Sequence, residues 1–233
     1  MTKIRKAVTK IKKEQLADNV TLYCGDCREI LPTLGKVDCV VSDPPYGIEE
    51  LIGGKYWGGL TIANDKNLDC VTQVFHLIKQ KFNNVWIVAF YSCRISPTFF
   101  KSAAMFDYFG EKIWDKKNLG LGNAIRYQHE NIAFFMLGKP EPLESGPSVL
   151  TYMRPNQKEV VHPHEKPVQV MHNICSVVPG KIILDPFMGT GSTGVAAVQL
   201  KRGFVGVELD PKYFDYARKR ISDALKQPTA FWE

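Results

Sequence analysis

Lys181-Ile182-Ile183-Leu184-Asp185-Pro186-Phe187-Met188-Gly189-Thr190-Gly191-Ser192-Thr193-Gly194 is the stretch on which the fold turns. A short apolar run ends in an acid and a glycine turn, and the helix-like Val195-Ala196-Ala197-Val198 follows at once. A continuous apolar run of this length predicts a strand buried on both faces, and strand, turn, helix in that order predicts a parallel α/β sheet. Glycines 189, 191 and 194 fit the Gly-x-Gly-x-x-Gly spacing, in which bare backbone lets a nucleotide-like ligand approach a helix start. The next apolar run, Phe204-Val205-Gly206-Val207-Glu208, ends in an acid 19 residues after the first glycine, placed to accept hydrogen bonds from a ribose diol.

A nicotinamide or flavin enzyme is one reading of this turn. However, the turn begins at residue 189 of 233, which leaves room for a single further strand and helix, whereas a dinucleotide fold needs a second mononucleotide half. An adenosine ligand without pyrophosphate fits better. Asp185, before the turn, would then accept from a ligand ammonium group, and S-adenosylmethionine carries one.

A second strand end carries the other half of a site. Val37-Asp38-Cys39-Val40-Val41-Ser42 runs into Asp43-Pro44-Pro45-Tyr46-Gly47. Two prolines lack N–H groups and fix φ, so they stop the strand, leave carbonyls unpaired and present a carboxylate and an aromatic ring rigidly at the sheet edge. An ordinary proline turn is the bland alternative, and only a partner for Asp43 and Tyr46 decides between the two.

Composition bounds the rest. With 233 residues and 45% apolar content the chain predicts one globular domain, with no apolar run long enough to span a bilayer and no secretory leader; the expected compartment is the cytoplasm. Six dispersed cysteines predict no disulfides, and Cys24-Gly25-Asp26-Cys27 has metal-site spacing without a second pair, so no metal is expected. The net charge of +6 is local: Lys3, Arg5, Lys6, Lys10, Lys12 and Lys13 precede the first acid. Residues 1–19 therefore predict a basic N-terminal tail, either a solvated terminus with Ile4, Val8 and Ile11 as a weak helical stripe or a non-specific phosphate contact.

Residues 20–233 predict the single domain, with strands near 20–24, 85–90, 109–114 and 131–136 and helices near 68–82, 97–105 and 167–178. Three irregular segments interrupt it, at about 47–67, 115–130 and 138–162. Lys55, Tyr56 and Trp57 in the first, and Lys116, Lys117, Asn118, Arg126, Tyr127 and His129 in the second, combine glycine, base and aromatic ring as a nucleic-acid backbone and stacked bases require. Residues 138–167, which include the third, hold six of the fourteen prolines.

Asp43-Pro44-Pro45-Tyr46 together with Asp185-Pro186-Phe187-Met188-Gly189-Thr190-Gly191 resembles the amino-methyltransferases that modify exocyclic nitrogens of DNA bases, and the order of the two motifs resembles their permuted β class. His162-Pro163-His164-Glu165-Lys166-Pro167 resembles the element that those enzymes carry ahead of the cofactor strand. The resemblance implies a Rossmann-like, seven-stranded, mostly parallel sheet flanked by helices in circularly permuted order, with the strand near 131–137 antiparallel. It implies S-adenosyl-L-methionine as cofactor, held along the turn by Asp185, Phe187, Gly189, Thr190, Gly191, Ser192 and Thr193. Glu208 and Leu209 would complete the site, with Asp43, with Asp26 near the adenine and with Lys166 near the methionine carboxylate. Asp43, Pro44, Pro45 and Tyr46 would be catalytic, and the three irregular segments would recognise the target.

The implied reaction is methyl transfer to N6 of a flipped-out adenine in double-stranded DNA, in a restriction-modification setting, by a cytoplasmic enzyme that is nucleoid-associated when bound to DNA. Homodimers are common in such a class. Cytosine-N4 or RNA adenine-N6 methylation is the near alternative; an oxidoreductase or an inactive nucleic-acid-binding module is the distant one.

Overall fold

The structure is a computed structural model that describes residues 11–47, 68–119, 125–154 and 165–227. Its strands are β1 (Lys12–Ala17), β2 (Val20–Cys24), β3 (Cys39–Ser42), β4 (Val85–Tyr91), β5 (Asp107–Asp115), β6 (His129–Leu137), β7 (Val149–Thr151), β8 (Ile182–Asp185) and β9 (Gly203–Glu208). The helices are α1 (Cys27–Ile30), α2 (Asp69–Lys81), α3 (Ser96–Ser102), α4 (Val168–Val177), α5 (Ser192–Gln199) and α6 (Pro211–Lys226).

Among the described residues the strands form one nine-stranded sheet in the order β1-β2-β9-β8-β3-β4-β6-β5-β7. Only β1 and β6 run against the rest. The antiparallel strand implied for residues 131–137 is β6. The two strands beyond the expected seven lie at opposite edges of the sheet.

Side-chain alternation along the central strands divides the core into two layers. Val41, Trp86, Val88 and Phe90 pack with Ile174, Ala196 and Ile221 of α4, α5 and α6. Val40, Ile87 and Ala89 pack with Ile30, Val71, Phe75 and Phe99 of α1, α2 and α3. Helices on both faces leave the strand ends as the place where a ligand can enter, and the permuted order sets β8 beside β3 although 143 residues separate Ser42 from Asp185.

The tail expectation is corrected at β1. Lys12–Ala17 pairs with β2 through a two-residue Asp18-Asn19 turn, so the sheet begins well before residue 20; residues 1–10 lie outside the described set. Lys-Lys-Glu-Gln has no apolar alternation because an edge strand exposes its side chains, which is also how proteins discourage edge-to-edge pairing. Lys12 lies over the Phe214 ring and Glu14 pairs with Arg218, so α6 supplies its anchor. Likewise the proline-rich segment after β6 is partly tied to the fold: Trp86 Nε1–H donates to the Glu141 carbonyl, the Glu144 N–H donates to Val177, and β7 extends the sheet beside β5.

Candidate active site

Asp43 emerges where β3 ends, and the chain surrounds its carboxylate with donors. The Tyr46 hydroxyl donates to Oδ1 at 2.8 Å, and Lys166 Nζ donates to Oδ2 at 2.5 Å. Lys166 is 7% exposed and also pairs with Glu130 Oε2 at 3.2 Å, while its ammonium lies over the Tyr46 and Phe90 rings. Glu130, two residues into β6, holds the buried Lys116 through Oε1 at 3.4 Å and lies 3.2 Å from the Tyr46 hydroxyl. Two acids and two bases therefore alternate along one chain of contacts, Asp43–Lys166–Glu130–Lys116, and both acids reach the Tyr46 hydroxyl.

Burial raises Asp43 above the ordinary carboxylate range, with Lys166 opposing and Glu130 reinforcing the rise. For Glu130 burial pushes the same way, but the ammonium groups of Lys166 and Lys116 outweigh it and hold the acid at about 2. Burial and the two carboxylates keep the Tyr46 hydroxyl protonated far above its usual range. Glu130 is thus the fixed anion of the cluster, and Asp43 is the carboxylate able to take up a proton.

The neighbouring strand end is braced against this cluster. Asp185 Oδ1 accepts from the Ser42 hydroxyl at 2.6 Å and the Phe187 N–H at 3.0 Å, and Oδ2 accepts from Thr193 at 2.6 Å. At 2% exposure and with burial pushing its carboxyl to about 6, Asp185 joins β8, β3 and α5. The Asp185 carboxylate, expected to meet a ligand ammonium group, is held here by three internal donors.

The glycines of the turn divide their work. Gly189 has φ +53°, and a methyl added there would approach only the Phe187 carbonyl, at 4.0 Å, so space lies open above it. Gly191 has φ +84° and faces Ala217 of α6, and a methyl on Gly194 would collide with Ile221 and Phe204. Only the first glycine presents a bare cradle; the other two let α5 pack closely. Glu208 Oε2 accepts the Gly189 N–H at 2.8 Å and Oε1 accepts the Asp210 N–H at 2.7 Å, which fixes the turn to the end of β9, with half-buried Leu209 next in line. The Ser192 hydroxyl donates to the Lys166 carbonyl, and Arg220 of α6 reaches both the Thr190 carbonyl and Glu165. The Lys166 backbone is therefore seated on the start of α5. Asp26, beyond the end of β2, caps α1 and holds the Arg28 guanidinium with both oxygens.

The residues expected to meet DNA separate into three groups. Lys55, Tyr56 and Trp57 lie outside the described residues. Lys116 is a correction: it is 7% exposed and neutralises Glu130, so its charge is spent inside the fold and not offered to phosphate. Lys117, Asn118 and Arg126 are exposed; Tyr127 lies under the Arg94 guanidinium, and His129 Nε2 is 3.4 Å from Cys93 Sγ. Glu130 went unread as a site residue, although an acid directly before the apolar run Asn131–Met136, in an otherwise basic segment, is its signal.

The doubly covered sheet, the strand-end carboxylates and the glycine turn define a class. One solved structure, the M1.HpyAVI–SAM complex, superposes with a TM-score of 0.62 at 27% identity, covering 85% of this chain and 98% of that one. The PvuII DNA methyltransferase, specific for cytosine N4, shares the fold at a TM-score of 0.65 and 14% identity over 90% of this chain and 92% of that one. The fold is that of the S-adenosylmethionine-dependent methyltransferases.

The family follows from sequence. A profile described as DNA methylase, of the N6/N4 type, matches residues 76–219. YubD of Escherichia coli (strain K12), a protein whose methylase description is itself provisional, is 30% identical over 209 residues, covering 85% of this chain and 88% of that protein. The chain belongs to the N6/N4 DNA methylase family.

Proposed function

We propose that this methyltransferase moves a methyl group from S-adenosylmethionine to the exocyclic N6 of an adenine flipped out of double-stranded DNA. The observation that carries the reading is the Asp43 carboxylate at the end of β3, next to the glycine turn of β8 and flanked by Tyr46. By resemblance, an aspartate at the first position of the Asp-Pro-Pro-Tyr motif favours adenine over cytosine.

The residues present fit the cofactor. Gly189 leaves open space where a side chain would stand, and Glu208 sits beside that space with a lone pair beyond those its backbone donors use. Gly189 and Glu208 would hold the adenosine part, whereas the Lys166 ammonium, expected near the methionine carboxylate, is buried and paired with Asp43 and Glu130. When bound, S-adenosylmethionine supplies an electrophilic methyl group on a sulfonium.

The chain's own contribution is orientation and charge. The lone pair of an exocyclic amine is delocalised into its ring, which makes it a poor nucleophile. Asp43 and the Pro44 carbonyl each accept one amine N–H, which favours a pyramidal nitrogen with its lone pair directed outward. As the new N–C bond forms and the C–S bond breaks, the nitrogen must shed a proton. Asp43, raised above the usual carboxylate range, is the nearest acceptor. The Tyr46 ring offers a face for the extruded base.

The test is to incubate the wild-type protein and labelled S-adenosylmethionine with duplex DNA and digest the DNA to nucleosides. Label in N6-methyladenine is expected. Label in N4-methylcytosine, or label entering RNA and not DNA, overturns the reading.

A further inference from the structure

The geometry points to Glu130 as a positioning residue for methyl transfer: it is the second acceptor that lets Lys166 and the Tyr46 hydroxyl release Asp43 when the target amine arrives. This rests on the reading of Asp43 given above.

Asp43 holds one protein donor on each oxygen, Tyr46 at 2.8 Å and Lys166 at 2.5 Å; Lys166 is buried, and the half-buried Tyr46 packs against the apolar core. If Asp43 were their only acceptor, an incoming amine would have to compete with them, and displacing either would strand a donor. Glu130 removes that conflict. Its Oε2 lies 3.2 Å from both the Tyr46 oxygen and Lys166 Nζ, so each has a second carboxylate already in reach. Rotation about the Tyr46 C–O bond moves its proton from Asp43 to Glu130 without moving the ring.

Glu130 is in turn kept anionic by its surroundings. Lys116 meets its other oxygen, and Arg154 adds positive potential from the strand end after β7. The groups facing Asp43 are Lys166, Tyr46, Glu130 and, across the β3–β8 pair, Asp185. A buried acid with two ammonium partners and a phenol is otherwise an expensive arrangement, since buried ion pairs repay their desolvation poorly. A role in sharing Asp43's donors accounts for it.

The consequence for pH has a definite sign. The working form of Asp43 is its ionised carboxylate, and the negative charge of Glu130 nearby makes that ionisation harder. Removing the charge lets Asp43 ionise at lower pH, so the acid limb of the rate profile moves down.

The experiment uses the full chain with duplex DNA and compares wild type, Glu130→Gln and Glu130→Asp for kcat, cofactor Kd and the pH profile of kcat. Glu130→Gln is expected to lose on the order of 10- to 100-fold in kcat, to keep cofactor Kd within about threefold of wild type because Gly189 and Glu208 are untouched, and to shift the acid limb downward. Glu130→Asp keeps the charge and returns the limb towards the wild-type position. A Glu130→Gln enzyme with wild-type kcat overturns the proposal, as does one whose kcat falls with the limb unmoved, which would be a merely structural loss. Where Glu130→Gln fails to fold, the Glu130→Asp profile decides: a limb moved downward despite the retained charge contradicts the proposal. Wild-type inactivity on DNA, or full activity of Asp43→Ala, would instead remove the underlying reading.

Discussion

Asp43 illustrates how much a single carboxylate can depend on its neighbours. Its two protein donors also have Glu130 as a partner, so loss of the Asp43 side chain leaves no buried cation alone. Asp43→Ala is therefore expected to fold and to bind cofactor, and calorimetry of the variant with S-adenosylmethionine checks that directly. Lys116 behaves differently. Lys116→Ala leaves Glu130 with Lys166 as its remaining close ammonium partner, and truncating one member of a buried pair costs roughly 3 kcal/mol. Chemical denaturation should register that loss, with DNA affinity of the folded fraction little changed. Glu130 also sets a pH dependence of stability. Its folded-state acidity, about 2, lies below the ordinary glutamate value of 4.5, so its contribution is complete above 4.5 and disappears as the pH falls towards 2. Acid unfolding followed by circular dichroism should show a shallower slope across that window for Glu130→Gln than for wild type.

Among the elements, the β8–α5 turn best separates ligand from packing. Gly194→Ala drives a methyl into Ile221 and Phe204, and overpacking of this kind costs about 1–3 kcal/mol. Gly189→Ala meets nothing closer than 4.0 Å and carries only the left-handed backbone penalty of about 1–2 kcal/mol. The first variant should lower the unfolding temperature more, and the second should weaken cofactor binding more; thermal melts with and without S-adenosylmethionine measure both. Strands β4, β8 and β9 were legible because burial on both faces writes an unbroken apolar run. Edge strand β1 was not, because solvent leaves its side chains polar and its only signal is the Asp18-Asn19 turn. The glycine spacing was legible as a turn, but sequence could not divide the glycines between ligand and helix packing, since α6 meets them only in three dimensions.

At the scale of the molecule, the permuted order makes the site from segments far apart in sequence: the end of β3 supplies Ser42 and the Asp43 that follows it, β6 supplies Glu130, and the residues around α4 and α5 supply Lys166 and Thr193. The two motifs were legible separately, and their union required only adjacent strand ends. Lys116 and Glu130 were not, because a basic segment looks alike whether its charges face solvent or each other. Lys117 and Arg126 are exposed. Arg126→Ala is expected to reduce the salt dependence of DNA binding by about one unit of log–log slope, as loss of one phosphate contact requires. The most direct measurement is the rate of labelled methyl incorporation into duplex DNA by wild type and Asp43→Ala at saturating S-adenosylmethionine, with the product identified as a nucleoside. The wild-type product should be N6-methyladenine, and its rate should fall on the order of 10³-fold in Asp43→Ala. A variant rate near wild type, or label recovered in N4-methylcytosine, would contradict the account.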